Sequence, residues 1–158
     1  GADEYGLTYS NSIMWGALLA RLKANNIAEG IIENYGSIDP EYLFKADPDI
    51  IIFSGAYWPS VPTSLRMGFD ATPEMIEGLL DGILSRPGWS NLKAVKNNDI
   101  HVIHHTVSRE FYDVCAFEYL AKVLYPEAFE DVNPEETLKY YYDNYLPFDY
   151  AGVWFYDK

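Results

Sequence analysis

Asp49-Ile50-Ile51-Ile52-Phe53-Ser54-Gly55 decides the fold class. Its apolar core is β-branched, unbroken by the polar alternation of a half-solvated strand, and closed by glycine. Such a run reads as a strand covered on both faces in a parallel sheet. Just upstream, Asp39-Pro40-Glu41 sets a capping carboxylate before a proline at the first helical position, with Glu41 against the positive helix end. That arrangement predicts a short helix over 40–46. Residues 12–23 carry Ile13, Ala17, Leu18, Leu19, Ala20 and Leu22 at helical spacing behind Ser12, a residue able to cap free amides.

Downstream, residues 56–69 hold three aromatics and two prolines with no clear period, so they predict a long loop leaving the strand's carboxyl end. Thr72-Pro73-Glu74 repeats the cap-and-proline arrangement and opens a helix that Pro87-Gly88 closes. The turn Asn97-Asn98 leads into a second strand over 100–103, whose carboxyl end delivers His104-His105. Residues 111–124 have Val114, Phe117, Ala121 and Leu124 on one helical stripe, and Asn133-Pro134-Glu135 caps a last helix reaching about Tyr145. Residues 146–158 read as an aromatic tail. Strands alternating with helices predict an α/β class, an open and mostly parallel sheet with helices on both faces, in one domain. Ligands of such sheets bind outside the strands' carboxyl ends, which singles out loops 55–66 and 104–112.

The chain has 158 residues, with 24 Asp and Glu against 11 Lys and Arg, a net charge of −13. That balance opposes binding to nucleic acid or to an anionic membrane face. No run approaches the roughly 18 apolar residues that cross a bilayer. Cys115 is the lone cysteine, which excludes an internal disulfide or a CxxC site. Gly1-Ala2 reads as a cloning remnant.

Catalytic motifs are not found. Ser54-Gly55-Ala56 follows a strand but lacks the GxSxG elbow, and there is no GxGxxG, GxxxxGK[ST] or HExxH. His101, His104 and His105 form an HxxHH cluster, yet side chains alternate along a strand, so His104 and His105 should point apart. They read either as a cleft-edge pair bonded locally or as contacts to a ligand or metal.

Three stretches resemble a known family. Ser37-Ile38-Asp39-Pro40-Glu41-Tyr42-Leu43-Phe44-Lys45-Ala46-Asp47-Pro48-Asp49-Ile50-Ile51-Ile52 is similar to a short helix followed by a Pro-Asp strand entry. Pro87-Gly88-Trp89, Leu92-Lys93-Ala94-Val95-Lys96-Asn97-Asn98 and the strand after it resemble a second passage, and Leu120-Ala121-Lys122-Val123-Leu124-Tyr125-Pro126-Glu127 a closing helix. Together they resemble the carboxy-terminal lobe of class III extracytoplasmic solute-binding proteins, which serve ABC importers of ferric siderophores, haem and cobalamin. One departure is Lys23-Ala24, where the family usually carries Gly-Gly.

The resemblance implies residues 1–158 as a single carboxy-terminal lobe, without the amino-terminal lobe and linker helix. It implies a binding protein rather than an enzyme, with no cofactor. The partners would be a small-molecule metal chelate and an ABC transporter permease, outside the cytoplasm, with membrane association only through an anchor absent from this chain. Loops of both lobes would grip the ligand. On this lobe Tyr57 and Trp58 offer flat aromatic faces, and Arg66 and Arg109 offer guanidinium groups to an anionic chelate. His105 and Tyr112 stand beside them. Glu41 matches the helix-start glutamate that meets an arginine of the permease. Two other readings stay open at this level: an α/β enzyme lobe that has lost its partner domain, and a carbohydrate-binding or interaction module stacking through Tyr150, Trp154 and Phe155.

Overall fold

The computed structural model describes residues 6–61 and 63–158; Gly1 and Ala2 lie outside them. The elements in chain order are β1 (Leu7–Tyr9), α1 (Met14–Arg21), β2 (Tyr35–Ser37), α2 (Pro40–Ala46), β3 (Ile51–Gly55), α3 (Pro73–Leu84), α4 (Lys93–Lys96), β4 (Ile100–His104), α5 (Val114–Leu124), α6 (Pro134–Tyr145) and β5 (Phe155–Asp157). Short 3-10 turns, Trp89–Asn91 and His105–Ser108, precede α4 and follow β4.

β3 and β4 are parallel, with Ile51 opposite Ile100 and Gly55 opposite His104. β5 adds antiparallel to the other edge of β4, so the order is β3-β4-β5, while β1 and β2 form a separate antiparallel ribbon. The central strand is therefore β4, and Ile100, Val102 and Ile103 are at most 1% exposed. β3 has cover on both faces, Ile52 packing on one side and Ile51 and Phe53 on the other, yet Ile51, Ile52, Phe53 and Ser54 are only half-buried. The reason is topological. Apolar composition marks β3 as a strand that needs cover, but among the described residues it has a partner on one side only.

Helices pack on both faces of the sheet. α5, α6 and α1 share a core with Ile103, Trp15 and Trp154, and α3 packs on the opposite face against Ile100 and Val102. A third cluster joins Ala28, Ile38, Leu43, Trp89 and Leu92. Three helix starts follow the sequence signal. Asp39 Oδ1 accepts from the Glu41 amide at 2.7 Å, Thr72 Oγ1 from the Met75 amide at 3.4 Å, and Asn133 Oδ1 from the Glu135 amide at 3.2 Å. α1 is the exception: it starts at Met14 and its N-cap, Ile13, has no side-chain cap. Ser12 instead donates to Asn34 Oδ1 at 2.8 Å and ties the turn before α1 to the one before β2.

The carboxyl-terminal stretch, expected as a tail, closes the sheet. Its entry is held by a backbone bridge in which the Gly68 amide donates to the Val153 carbonyl at 2.7 Å. Gly152 makes that approach sterically feasible: it sits at φ +79°, and a Cβ there would lie 2.0 Å from the Gly68 carbonyl oxygen. Trp154 then enters the core at 3% exposure and donates its indole N–H to Ala151. Cys115 is fully buried, and burial pushes its thiol up to about 12. Thiol reagents are expected to label it only after unfolding, a contrast that a timed labelling assay with and without denaturant reads directly.

Candidate functional site

Because β3 and β4 run parallel in register, their carboxyl ends lie side by side, and loops 56–66 and 105–112 leave from adjacent points. This is where an open α/β sheet places a ligand. A cavity of about 570 Å³ opens there, with Ser54, Trp58, Thr63 and His105 at its mouth. Its floor is apolar and reaches Ile52, Phe53, Ile103 and Leu120.

At the mouth His105 Nδ1 lies 3.2 Å from Ser54 Oγ, and the edge of Trp58 meets the imidazole at 5.5 Å between ring centroids. Burial, aided by the nearby Arg109 charge, holds the His105 pKa below its ordinary value, so the ring is neutral at pH 7 and can donate from one nitrogen while accepting at the other. A serine beside a histidine suggests nucleophilic catalysis, but that chemistry also uses an acid to orient the imidazole. Among the described residues no carboxylate is bonded to His105, and its partners are Ser54 and Trp58.

The other sequence-derived residues fall into separate places. The Arg66 guanidinium stacks on the Tyr57 ring at 4.4 Å and approaches Asp70 at 3.6 Å, with its Nε buried and unpaired among the described residues. This pair stands beside the cavity rather than in its lining. Arg109 is exposed; its charge is felt by His105 and by Tyr9. Tyr112 packs on Tyr141 and Tyr142, at 5.1 and 6.0 Å, away from the mouth. Glu41 lies exposed in the first turn of α2, where Asp39 already satisfies its amide and its carboxylate has no bonding partner among the described residues.

The three histidines go three ways. His104 points opposite to His105, as strand alternation requires, and packs on Trp154 at 4.4 Å while its Nδ1 accepts from the Thr106 amide at 3.4 Å. His101 lies between two carboxylates, with Nε2 at 2.8 Å from Asp99 and Nδ1 at 2.7 Å from Asp157; Tyr119 donates to the same Asp157 oxygen at 2.6 Å. The HxxHH spacing therefore brings no two imidazoles to one point. Burial alone would lower the His101 pKa, but the two carboxylates outweigh it and raise it above the ordinary value. The sign follows: the tie between β4 and β5 stabilises the fold below pH about 6.5 and weakens as pH rises through the raised value. NMR titration should find His101 as the most basic of the three imidazoles, with Asp157→Asn bringing it back toward about 6.5.

Sequence reasoning did not find Tyr9 and Tyr35, whose rings pair at 4.8 Å on the cavity wall. They come from β1 and β2, three-residue strands without a periodic signal. The aromatic surface imagined for the tail is largely core: Trp154 is 3% exposed, and Tyr150 donates to Glu135 at 3.1 Å.

Comparison with known proteins bears on this site. Residues 1–107 match the family model described as periplasmic binding protein, a span that contains the first two of the three resembling stretches. The crystal structure of the TroA-like periplasmic binding protein FepB from Veillonella parvula is 46% identical, with a TM-score of 0.95 over 99% of this chain and 45% of that one. The molybdate-binding protein MolA of Haemophilus influenzae is 22% identical over 90% of this chain and 37% of its own length. The molybdate-bound MolA structure superposes with a TM-score of 0.60 at 22% identity, over 87% of this chain and 38% of that chain, and shares the fold. The chain thus spans less than half the length of these relatives. The α/β fold seen here is the one that the resemblance implied.

Proposed function

The chain belongs to the periplasmic binding protein family, whose place is extracytoplasmic, and from that premise we propose that it is the carboxy-terminal lobe of a two-lobed solute-binding protein delivering a metal chelate to an ABC importer. One observation carries the reading. Trp58 and the neutral His105–Ser54 pair meet at the adjacent carboxyl ends of β3 and β4 and line one cavity there. Trp58 gives a planar or catecholate ligand a face to lie on, and the imidazole and hydroxyl orient its polar edge. Arg109 beside the mouth and Arg66, braced on Tyr57, supply positive charge for an anionic chelate such as a ferric siderophore; haem and cobalamin carry carboxylate or phosphate groups that fit the same cations. Tyr112, at the end of the second loop, ties it to α6 through Tyr141 and Tyr142. No bond is made or broken: the lobes close on the ligand and release it when docked on the permease.

MolA supports a second reading, an oxyanion as ligand, because Ser54 and Thr63 hydroxyls at the mouth are also oxyanion donors. Isothermal titration of the complete protein with a ferric catecholate siderophore and with molybdate separates them. The chelate reading expects saturable heat with the siderophore and none with molybdate, and the reverse result overturns it.

Glu41 is assigned to permease docking. An exposed carboxylate whose helix is already capped by Asp39 is free to meet a cation. Glu41→Ala is expected to leave ligand affinity unchanged and to weaken docking by up to about fivefold, the scale of one exposed ion pair. Uptake assays alongside ligand titration check both halves; equal loss of both would remove the docking role.

A further inference from the structure

The ribbon of β1 and β2 reaches the cavity through β1, whose residues Gly6 to Tyr9 all belong to the lining. Tyr9 stands opposite Tyr35 in the ribbon register, and the two rings pair at 4.8 Å between centroids. Asn26 pins the backbone there: its Nδ2 donates to the Tyr9 carbonyl at 2.9 Å and to Asn11 Oδ1 at 3.1 Å, while its Oδ1 accepts from the Ala28 amide at 3.1 Å. The Tyr9 hydroxyl makes no hydrogen bond among the described residues. Burial holds that phenol above its ordinary pKa against the opposing pull of Arg109, so it is protonated at neutral pH and can donate. The Arg109 charge acts on Tyr9 and on His105 alike, which puts the guanidinium within electrostatic reach of two elements of the wall. Arg109 is exposed and forms no ion pair among the described residues, and its neighbour Glu110 acts on Tyr112 and Tyr142 instead. The chain carries 24 Asp and Glu, yet none is among the described residues that line the cavity, where Thr8, Tyr9, Ser54 and Thr63 bring hydroxyls.

We propose that Tyr9 and Arg109 act together as an anion-recognition pair at the mouth, so that the site selects a chelate presenting anionic oxygens, a ferric catecholate above all, over a neutral hydroxamate chelate of the same metal. This rests on the chelate reading above and adds to it one residue, Tyr9, and a rule of selection. A phenol O–H and a guanidinium are both donors toward the ligand, and a bond to a charged acceptor is roughly twice as strong as one between neutral groups. A neutral chelate still accepts from Tyr9 but gains little from Arg109. Arg66 contributes less to the choice, because Asp70 and the Tyr57 ring already answer its charge within the protein. Arg109 has no such answer, and a cavity wall without carboxylates does not oppose an approaching anion. Tyr35 and Asn26 are positioning residues: the ring contact and the bonded carbonyl hold Tyr9 in place before ligand arrives, which limits the freedom lost on binding.

The test is calorimetric titration of the complete protein with a ferric triscatecholate, which is anionic, a ferric trihydroxamate, which is neutral, and molybdate. The parent is expected to prefer the triscatecholate over the trihydroxamate by at least about tenfold. Tyr9→Phe keeps the ring against Tyr35 and removes only the hydroxyl, and Arg109→Gln keeps a long polar side chain and removes the charge. Each is expected to weaken triscatecholate binding by about tenfold and so to narrow the preference. The double variant should lose less than the product of the two single losses, as groups that share one partner do. Added salt should narrow the preference of the parent more than that of Arg109→Gln. A merely structural role for Tyr9 would weaken both chelates alike. Equal losses with the two chelates, or no loss with either, would overturn the pair and leave the chelate reading standing. Saturation by molybdate alone, weakened in both variants, would sink the chelate reading and keep the pair as an oxyanion site. Saturation by molybdate alone that neither variant moves, or no saturable response to any of the three, would sink both.

Discussion

Acidification from pH 7 to pH 4 is expected to remove up to about 3 kcal/mol of folding stability through His104. Its imidazole is packed on Trp154 beneath Gly68, and Nδ1 accepts from the Thr106 amide, an arrangement that suits the neutral ring. Burial, with the neighbouring His105, pushes its pKa down to about 4. In the unfolded chain the same group takes a proton near 6.5, so between about 6.5 and 4 the unfolded state is protonated and the native state is not. Stability from this residue is therefore full above pH about 6.5 and declines at up to about 1.4 kcal/mol per pH unit below it. His105, also depressed, adds to the loss, whereas His101 works in the opposite sense. Urea unfolding at pH 7, 6, 5 and 4.5 of the parent and of His104→Asn, which keeps an acceptor, isolates the contribution. The variant should lose most of the slope between pH 6.5 and 5, above the range where carboxylates begin to titrate; equal slopes would contradict the assignment.

Trp58→Ala is expected to weaken ligand binding by about 30-fold, roughly 2 kcal/mol, the loss typical of an aromatic anchor at the centre of a binding surface. The ring is 37% exposed at the cavity mouth, belongs to none of the buried core clusters and meets the edge of His105. Its removal therefore costs little core packing, and the urea midpoint should move by less than about 0.5 kcal/mol equivalent. Trp58→Phe should recover most of the affinity, because the face of the ring and not the indole N–H makes the contact. Calorimetry on the complete protein distinguishes the outcomes. Retained affinity in Trp58→Ala would remove this residue from the site, and a parallel loss of stability would recast it as a packing residue.

What was legible in the sequence was what short-range chemistry controls. β3 declared itself by consecutive β-branched residues, and α2, α3 and α6 by a capping side chain before proline at Asp39, Thr72 and Asn133. Ser12 carried the same local signal but is recruited by Asn34, a contact across 22 positions that no local pattern encodes. β1, β2 and β5 are three residues each and exist because a distant partner pairs with them. β5 in particular depends on the glycine-to-backbone approach at Gly152 and Gly68. At the candidate site, the strand-end rule brought Trp58 and His105 together, but the pairing of Arg66 with Tyr57 and the stacking of Tyr112 on α6 tyrosines depend on packing that charge and spacing do not express. Tyr9 and Tyr35 escaped because their strands did.

The chain's four tryptophans make the central claim directly measurable. Trp58 is 37% exposed, whereas Trp15, Trp89 and Trp154 are at most 8% exposed, so a ligand at the mouth reaches one indole before the rest. The measurement is a fluorescence titration of the complete protein with ferric siderophore, haem, cobalamin and molybdate in turn, corrected for each ligand's absorption. Saturable quenching by one metal chelate class, abolished by Trp58→Phe replacement of the fluorophore while calorimetric affinity persists, is the result predicted. Saturation by molybdate alone, or no saturable response to any of the four, would contradict it.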